Sequence, residues 1–485
     1  MSVVETASQA LHRITSYGRY DASDPDAIWA PPVEDPRVVV DLVVNDTERL
    51  PWFYKRYAED LPTVPLLREL PVTAASAVEV LAGTAEIAPG ELDLAQLSRL
   101  LHLSAGITRT TVRPYATWLF RAAGSAGGRF PLEVYVAVPE GHAVPAGVHW
   151  YQPEDHALVR IGPPPSGGSP TVVVTGVPWR TGWRYRERGY RHVYWDAGTM
   201  LSQLLAVASS AGIRPSITTR FPDAAVTALV GADGTHEWPV ALVTLGDGDP
   251  AIVAAGAAAA GQVDAAPVEF PLATAAQRAG DQDVLGPPWT APAPVTVPIT
   301  DGPPIDTVVL SRGSARLLDR TKRVSLDLFR TSMLAALRGI DVPHVVAVHA
   351  VDGMVPGLYR WPDPEPRRAG DVRDELYVLA LEQGLAREAA FVTIGIADVR
   401  TLDDRAYREA QLGAGLVEGR LHLLAYALGA AASGMTFADS ELAGVVGEPV
   451  DGLLLTCVGV PEYTSAGGGR PGAPTAVRTV TPRSS

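Results

Sequence analysis

GSAGGRFPLEVYVAV, residues 124–138, is the stretch whose reading decides the fold. Small residues, two of them consecutive glycines, lead into LEVYVAV at 132–138, an apolar run that predicts a buried strand. GVHWY follows at 147–151. Far downstream the same succession returns: VVAVHAV at 345–351 predicts a second strand, and Gly357-Leu358-Tyr359-Arg360-Trp361 follows it.

Working outward from these two strands, further landmarks recur in the same order, which is the signature of an internal duplication. Leu92-Asp93-Leu94 and Leu326-Asp327-Leu328 each open a segment with apolar residues at helical spacing. After the strands, helices carry Leu204-Leu205-Ala206-Val207-Ala208 and Leu423-Leu424-Ala425-Tyr426-Ala427. Phe221-Pro222-Asp223 with Val230-Gly231 is matched by Phe437-Ala438-Asp439 with Val446-Gly447, and each half closes on LVTLG or LTCVG. Each half reads as helices around a short sheet, an α+β unit. Two such units in one chain predict an internal pseudo-dimer. The stretch 248–305, rich in Ala, Pro and Gly and without sustained periodicity, predicts a linker. The resulting division is an N-terminal extension 1–70, a first half 71–247, the linker, a second half 306–475 and a tail 476–485.

Composition narrows the function. The 485 residues carry 40 Lys+Arg against 54 Asp+Glu, and a net charge of -14 disfavours a nucleic-acid partner. Cys457 is the only cysteine, which excludes an internal disulfide, a cysteine-ligated zinc site and an iron–sulfur cluster. The opening MSVVETASQALHRITSYGRY lacks a charged segment followed by an apolar one, and AIVAAGAAAAG at 251–261 is too short to span a bilayer. The expectation is a cytoplasmic protein with no membrane partner and no metal site. His149, His192 and His422 lack metal-ligand spacing.

LSRLLHLSAGITR at 97–109, GSAGGRFPLEVYVAV at 124–138, GVHWYQPEDHAL at 147–158 and YRERGYRHVYWDAG at 185–198 together resemble the nitroreductase-like flavoproteins. Within them they resemble the SagB-type azoline dehydrogenases of thiazole and oxazole peptide biosynthesis. The resemblance covers nearly the whole chain outside the linker. It implies a nitroreductase-like α+β fold and FMN held in the interface between the two halves. In that family one partner supplies an Arg-x-Ser-x-Arg segment for the phosphate, and the other a Pro-Ser-Ala-Gly-Gly segment against the flavin. Here Arg312, Ser314 and Arg316 keep the first motif in the second half, where the first half reads Ala74-Ala75-Ser76-Ala77-Val78. Ser125, Ala126, Gly127 and Gly128 keep the other in the first half, with Gly124 in place of Pro, while the second half reads RGIDVPHVVAV. The losses are complementary, so the expectation is one FMN per chain. Ser433, Gly434 and Met435 fall where the family lays backbone along the ring, and Arg470 where a further phosphate-binding arginine lies.

The family's Lys-Tyr base corresponds here to Arg184-Tyr185. A guanidinium does not readily take a proton, so Arg184 is expected to steady negative charge and Tyr185 to act as acid or base with its pKa lowered by Arg184. Lys55 offers a second lysine, although a solvated entrance loop is the plainer reading of Lys55-Arg56-Tyr57. The resemblance implies azoline oxidation in a leader-bearing precursor peptide, alongside a cyclodehydratase complex, with an outer homodimer left open. An NAD(P)H-dependent FMN nitroreductase and a non-catalytic peptide-docking scaffold are the competing functions. Taken alone, Arg312 and Arg316 read equally well as solvated arginines, and Gly127 and Gly128 as an ordinary turn.

Overall fold

The computed structural model describes residues 4–19, 29–30 and 46–481. Residues 1–3, 20–28 and 31–45 of the N-terminal extension and 482–485 of the tail lie outside the described residues. LEVYVAV forms the strand Leu132–Val138, buried at every position, as an apolar run with β-branched residues does when both faces of a sheet are covered. It lies inside a seven-stranded sheet ordered Pro215–Thr218, Trp238–Leu245, Thr171–Gly176, Leu132–Val138, Gly147–Gln152, Ala157–Gly162, Thr63–Pro65. The second half builds a six-stranded sheet ordered Ala431–Met435, Asp451–Gly459, Phe391–Ala397, His344–Val348, Gly357–Arg360, Arg368–Ala369. The strand pairings within both sheets are antiparallel. Chain order maps one sheet onto the other through their first six strands, so the fold is α+β built from two copies of one topology.

The matching helices Leu94–Ala105 and Leu326–Ala336 are started by side-chain caps, Asp93 accepting from the Gln96 amide and Ser325 from that of Leu328. Asp327 therefore lies inside its helix rather than at the cap. The Leu-Asp-Leu match is out of structural register by two residues, because the cap and not the leucine pair fixes where each helix begins.

The two long helices, Gly189–Ser210 and Asp404–Ala427, pack on each other and join the halves. Their contact is backbone on backbone. A Cβ on Gly198 would lie 2.4 Å from the Leu412 carbonyl oxygen, and one on Gly415 would lie 2.4 Å from that of Trp195. Just ahead of this crossing a short motif occurs twice, Arg188-Gly189-Tyr190-Arg191 and Arg405-Ala406-Tyr407-Arg408. The arginines of each copy reach across to the aspartate that begins a short helix in the other half. Arg188 and Arg191 donate to Asp439 at 2.6 and 2.7 Å. Arg405 and Arg408 stand 2.9 and 3.4 Å from Asp223. Tyr190 and Tyr407 stack at 6.4 Å between them. The same reciprocity recurs where Ser76 bridges Pro304, with Ala77 N donating to Pro303 O and Ile305 N to Ala75 O. Superposing the two motifs sets Leu204 against Leu421, two residues from the match that the leucine pairs suggest.

The Ala/Pro-rich stretch 248–305 lies on both halves. Its helix Pro271–Ala279 buries Leu272, Ala273 and Ala276, and Tyr194 donates to Gln277 at 2.7 Å. Ahead of the first half, the helix Ala7–Ile14, started by a Thr6–Gln9 capping box, lays its carbonyl of His12 on Arg191. Among the described residues no helix is long and apolar enough to cross a membrane.

The Asp439 side chain is 8% exposed; burial alone would raise its pKa, and Arg188 and Arg191 overcome that to hold it well below the usual carboxylate range. Removing it leaves two buried guanidiniums without their counter-charge. Asp439→Ala is expected to lower the unfolding free energy of the full chain by about 3–5 kcal/mol in urea titration. A loss under about 1 kcal/mol, the value of a surface pair, would show that the cluster does not hold the halves together.

Candidate active site

A cleft runs between the two halves as two adjoining cavities. The first, of about 200 Å³, is lined from the first half by Ser125, Ala126, Gly127, Arg184, Tyr185, His192, Trp195 and Asp196, and from the second by Ser314, Arg316, Glu418, Ser433, Gly434, Met435 and Thr436. The second, of about 300 Å³, shares Gly124, Ser125, Ser314 and Arg316 with it and adds Gly128, Arg109, Arg312 and Arg478.

The glycine loop is shaped by its backbone. Gly127 and Gly128 have φ of +59° and +65°, a region costly for residues with a Cβ. A Cβ on Gly127 would also lie 2.9 Å from both Arg184 Cδ and the Tyr185 hydroxyl. Asp196 holds this loop in place. It accepts from the Ser125 hydroxyl and, at 2.9 Å, from the Ala126 amide, while Ser125 Oγ accepts from the Phe130 amide at 2.7 Å. Burial pushes the Asp196 carboxyl up to about 8, against the pull of those hydrogen bonds. Sequence reasoning missed Asp196. Its signal was a lone carboxylate in the otherwise apolar and aromatic turn VYWDAG.

On the other wall, Arg312–Arg316 runs beside the sheet edge Ala431–Met435. Ser314 bridges Ala432 in parallel, and Ala315 N donates to Ala432 O at 2.8 Å. That pairing is why Ser314 and Arg316 share a cavity wall with Ser433 to Met435. Arg312 is buried and donates to the Ala122 carbonyl of the first half at 2.6 Å, with His422 Nδ1 3.5 Å away. Arg109, also missed from sequence, donates to Leu310 O and Ala466 O, and burial, reinforced by Arg312, pushes it down to about 10. Among the described residues, none of Arg109, Arg312 and Arg316 has a carboxylate within 4.0 Å, although Glu418 weighs on Arg312 from further off. Three guanidiniums without a counter-ion beside one cavity are suited to an anion.

The site departs from the sequence expectations in four places. Arg470 is not in the cleft wall: it is exposed at a turn closed by Ala473 N donating to Arg470 O, and it forms a surface pair with Glu69 at 3.4 Å. Lys55 is neither at the site nor solvated, since its Nζ is buried and donates to Glu237 at 2.6 Å and Tyr135 at 3.0 Å. Tyr185, stacked on His192 at 4.0 Å, has its pKa raised rather than lowered, since burial outweighs Arg184. The stretch opposite Arg312–Arg316 is Thr84–Ala88 rather than Ala74–Val78, as the Ser76–Pro304 bridge fixes the register; it too has no arginine. Arg188 and Arg191, near the expected catalytic pair, are occupied by Asp439. Thr436 Oγ1 and both His192 ring nitrogens are buried at the cavity without a hydrogen-bond partner. No group of three or more metal-ligating side chains occurs among the described residues.

No family model matches the chain. A crystallised protein from Anabaena variabilis, provisionally named a nitroreductase, superposes over 95% of this chain and 100% of its own with a TM-score of 0.71 and 22% identity. The fold is nitroreductase-like. A second protein provisionally named a nitroreductase, from Methanocaldococcus jannaschii, is 27% identical over 176 residues, spanning 33% of this nitroreductase-like chain and 84% of the relative. A chain of the Escherichia coli microcin synthetase complex aligns over 37% of this chain at 18% identity; its TM-score of 0.27 carries no weight.

Asp196 gives the site a pH signature. An unfolded aspartate titrates near 4, so between about pH 4 and 8 the folded chain binds the extra proton, and stability falls as pH rises through about 8. Asp196→Asn removes this group, so its thermal midpoint should fall less than the wild type's between about pH 5 and pH 8.5. Identical slopes would mean that Asp196 is ionised in the folded chain.

Proposed function

We propose that the chain is an FMN-dependent dehydrogenase that holds one flavin mononucleotide in this cleft and oxidises a thiazoline or oxazoline of a ribosomally made peptide to the azole. The observation that carries the cofactor reading is the pairing of guanidiniums that have no carboxylate within 4.0 Å among the described residues with a positive-φ glycine cradle in the same cleft. Arg109, Arg312, Ser314 and Arg316 would receive the phosphate. Gly127 and Gly128 would admit the ring edge, with Ser433, Gly434 and Met435 along it and the free hydroxyl of Thr436 as a donor within reach. When bound, the flavin supplies the hydride acceptor that aromatisation of an azoline needs.

The chain's own contribution is position and proton handling. Tyr185, kept protonated by burial, and Arg184 beside it steady negative charge as the substrate loses its proton. Asp196 fixes the Ser125–Gly128 loop and, as the cavity carboxyl whose proton affinity lies nearest neutrality, would take that proton in its ionised form. The azoline substrate, the leader-bearing precursor peptide and a cyclodehydratase partner rest on the order of the motifs at 97–198, which resembles the SagB type. A nitroreductase acting with NAD(P)H is the second reading, favoured by the name of the archaeal relative.

The test begins with the visible spectrum and flavin content of the purified chain. About one FMN per chain is expected, with affinity lowered at least about tenfold in Arg316→Ala, the loss of one charge-assisted hydrogen bond. A thiazoline-containing leader peptide should then reduce the bound flavin, whereas faster turnover of NADPH with a nitroaromatic would favour the second reading. A colourless chain that rejects added FMN would sink both and leave a peptide-docking scaffold.

A further inference from the structure

The duplication gives the cleft a counterpart on the other side of the helix crossing, and that counterpart has become a different kind of site. Its sheet edge is Pro215–Thr218, equivalent to Ala431–Met435. Arg338 to Ile340, ahead of the strand His344–Val348, stand where Gly128 to Phe130 stand ahead of Leu132–Val138. Between them is a cavity of about 650 Å³, lined by Val80, Ile87, Ile217, Trp289 and Leu416 together with Arg338 and Arg420. It cannot repeat the phosphate cradle, because Glu86 occupies the position of Ser314 and no arginine occurs in Thr84–Ala88.

The two guanidiniums are the feature that needs explaining. Arg420 is 8% exposed, and it donates through Nη1 to the carbonyls of Ala336 and Arg338 at 3.1 and 2.6 Å. Arg338 donates to Leu81 O and Pro292 O, both at 3.0 Å, and occupies space that Gly83 leaves open, where a Cβ would lie 2.3 Å from Nη1. Those carbonyls anchor both side chains while leaving N–H donors of each uncommitted. Among the described residues neither has a carboxylate within 4.0 Å, whereas Arg214 at the rim is paired with Asp247. Burial, and then Arg338 beside it, push the Arg420 guanidinium down to about 10. Two adjacent cations facing an apolar chamber, Arg420 buried and Arg338 half-buried, are costly unless an anion completes them.

We propose that this cavity binds an anionic, predominantly apolar small molecule, its carboxylate or sulfonate seated on Arg338 and Arg420 and its body against Ile217 and Leu416. This site is separate from the flavin cleft and does not depend on the flavin reading. The residues 289–292, which arrive from the Ala/Pro-rich stretch and include Trp289 and Pro292, close one side of it. The stretch between the halves thereby becomes part of a binding site.

The test uses the full chain and two dyes of nearly the same body, 8-anilinonaphthalene-1-sulfonate and the uncharged N-phenyl-1-naphthylamine, followed by fluorescence. The expected result is one saturable site for the sulfonate, at least about tenfold tighter than for the neutral dye. Arg338→Met should remove that preference and leave the neutral dye bound. Ile217→Trp, which narrows the chamber and keeps both arginines in the chain, should abolish both, and Arg316→Ala in the cleft should change neither. Circular dichroism identifies any variant that fails to fold, and the Ile217 and Arg338 variants report independently. Absence of saturable binding, equal affinity for the two dyes, or loss of the sulfonate in Arg316→Ala would overturn the proposal.

Discussion

Everything in this molecule depends on two helices touching backbone to backbone at Gly198 and Gly415. Any side chain at either position would push the long helices apart, and with them the sheets whose edges form the cleft. The approach places Arg188 and Arg191 against Asp439 on one side of the pseudo-axis and Arg405 and Arg408 against Asp223 on the other. Buried ion pairs of this kind are weak sources of net stability, since desolvation offsets their attraction. Their effect is on arrangement. A displacement of either half strands a buried charge, so the two units have one low-energy way to sit together.

Fusing the halves freed their two equivalent clefts to diverge. In a homodimer a substitution that damages one site damages both, because each copy contributes to each. In a single chain one half can keep Arg312–Arg316 while the other keeps Ser125–Gly128. The opposite cleft, relieved of that demand, carries Arg338 where its counterpart has Gly128, Leu416 where it has Thr199 and Ile217 where it has Gly434. The result is one polar cleft with open glycine backbone and one larger apolar chamber with a buried and a half-buried cation.

Much of the cleft could be read from residues that are locally self-explanatory. LEVYVAV announces a buried strand because a fully apolar run has few other uses. Gly127 and Gly128 mark a turn whose positive φ suits glycine, and Arg312, Ser314 and Arg316 mark a polar edge on which Ser314 and Arg316 are exposed and Arg312 is buried. Asp196, Arg109, Arg338 and Arg420 were not legible in this way. Each is a polar residue within a helix or strand pattern, or at its end, and it acquires meaning only when an element distant in sequence approaches it. The repeated Arg-x-Tyr-Arg was visible in principle. It was obscured because the first copy adjoins Arg184-Tyr185 and reads naturally as part of a catalytic run, although folding consumes it in the Asp439 cluster.

The sequence by itself determined the two α+β units, their order of strands and helices, and the unequal distribution of flavin-type motifs between them, because hydrophobic period, glycine and charge act over a few residues. Register and pairing were decided by tertiary structure. Asp93 and Ser325, not the leucine pairs, set the helix starts, and the Ser76–Pro304 bridge set Thr84–Ala88 opposite Arg312–Arg316. Burial then assigned the charges. Arg470, a site residue by its motif, and Lys55, which read more plainly as a solvated loop residue, went to Glu69 and to Glu237, while Asp196 was left without a cation and keeps its proton. A local pattern specifies which groups a segment carries; which of them lose water, and which partner meets them there, is fixed only when the halves close on each other.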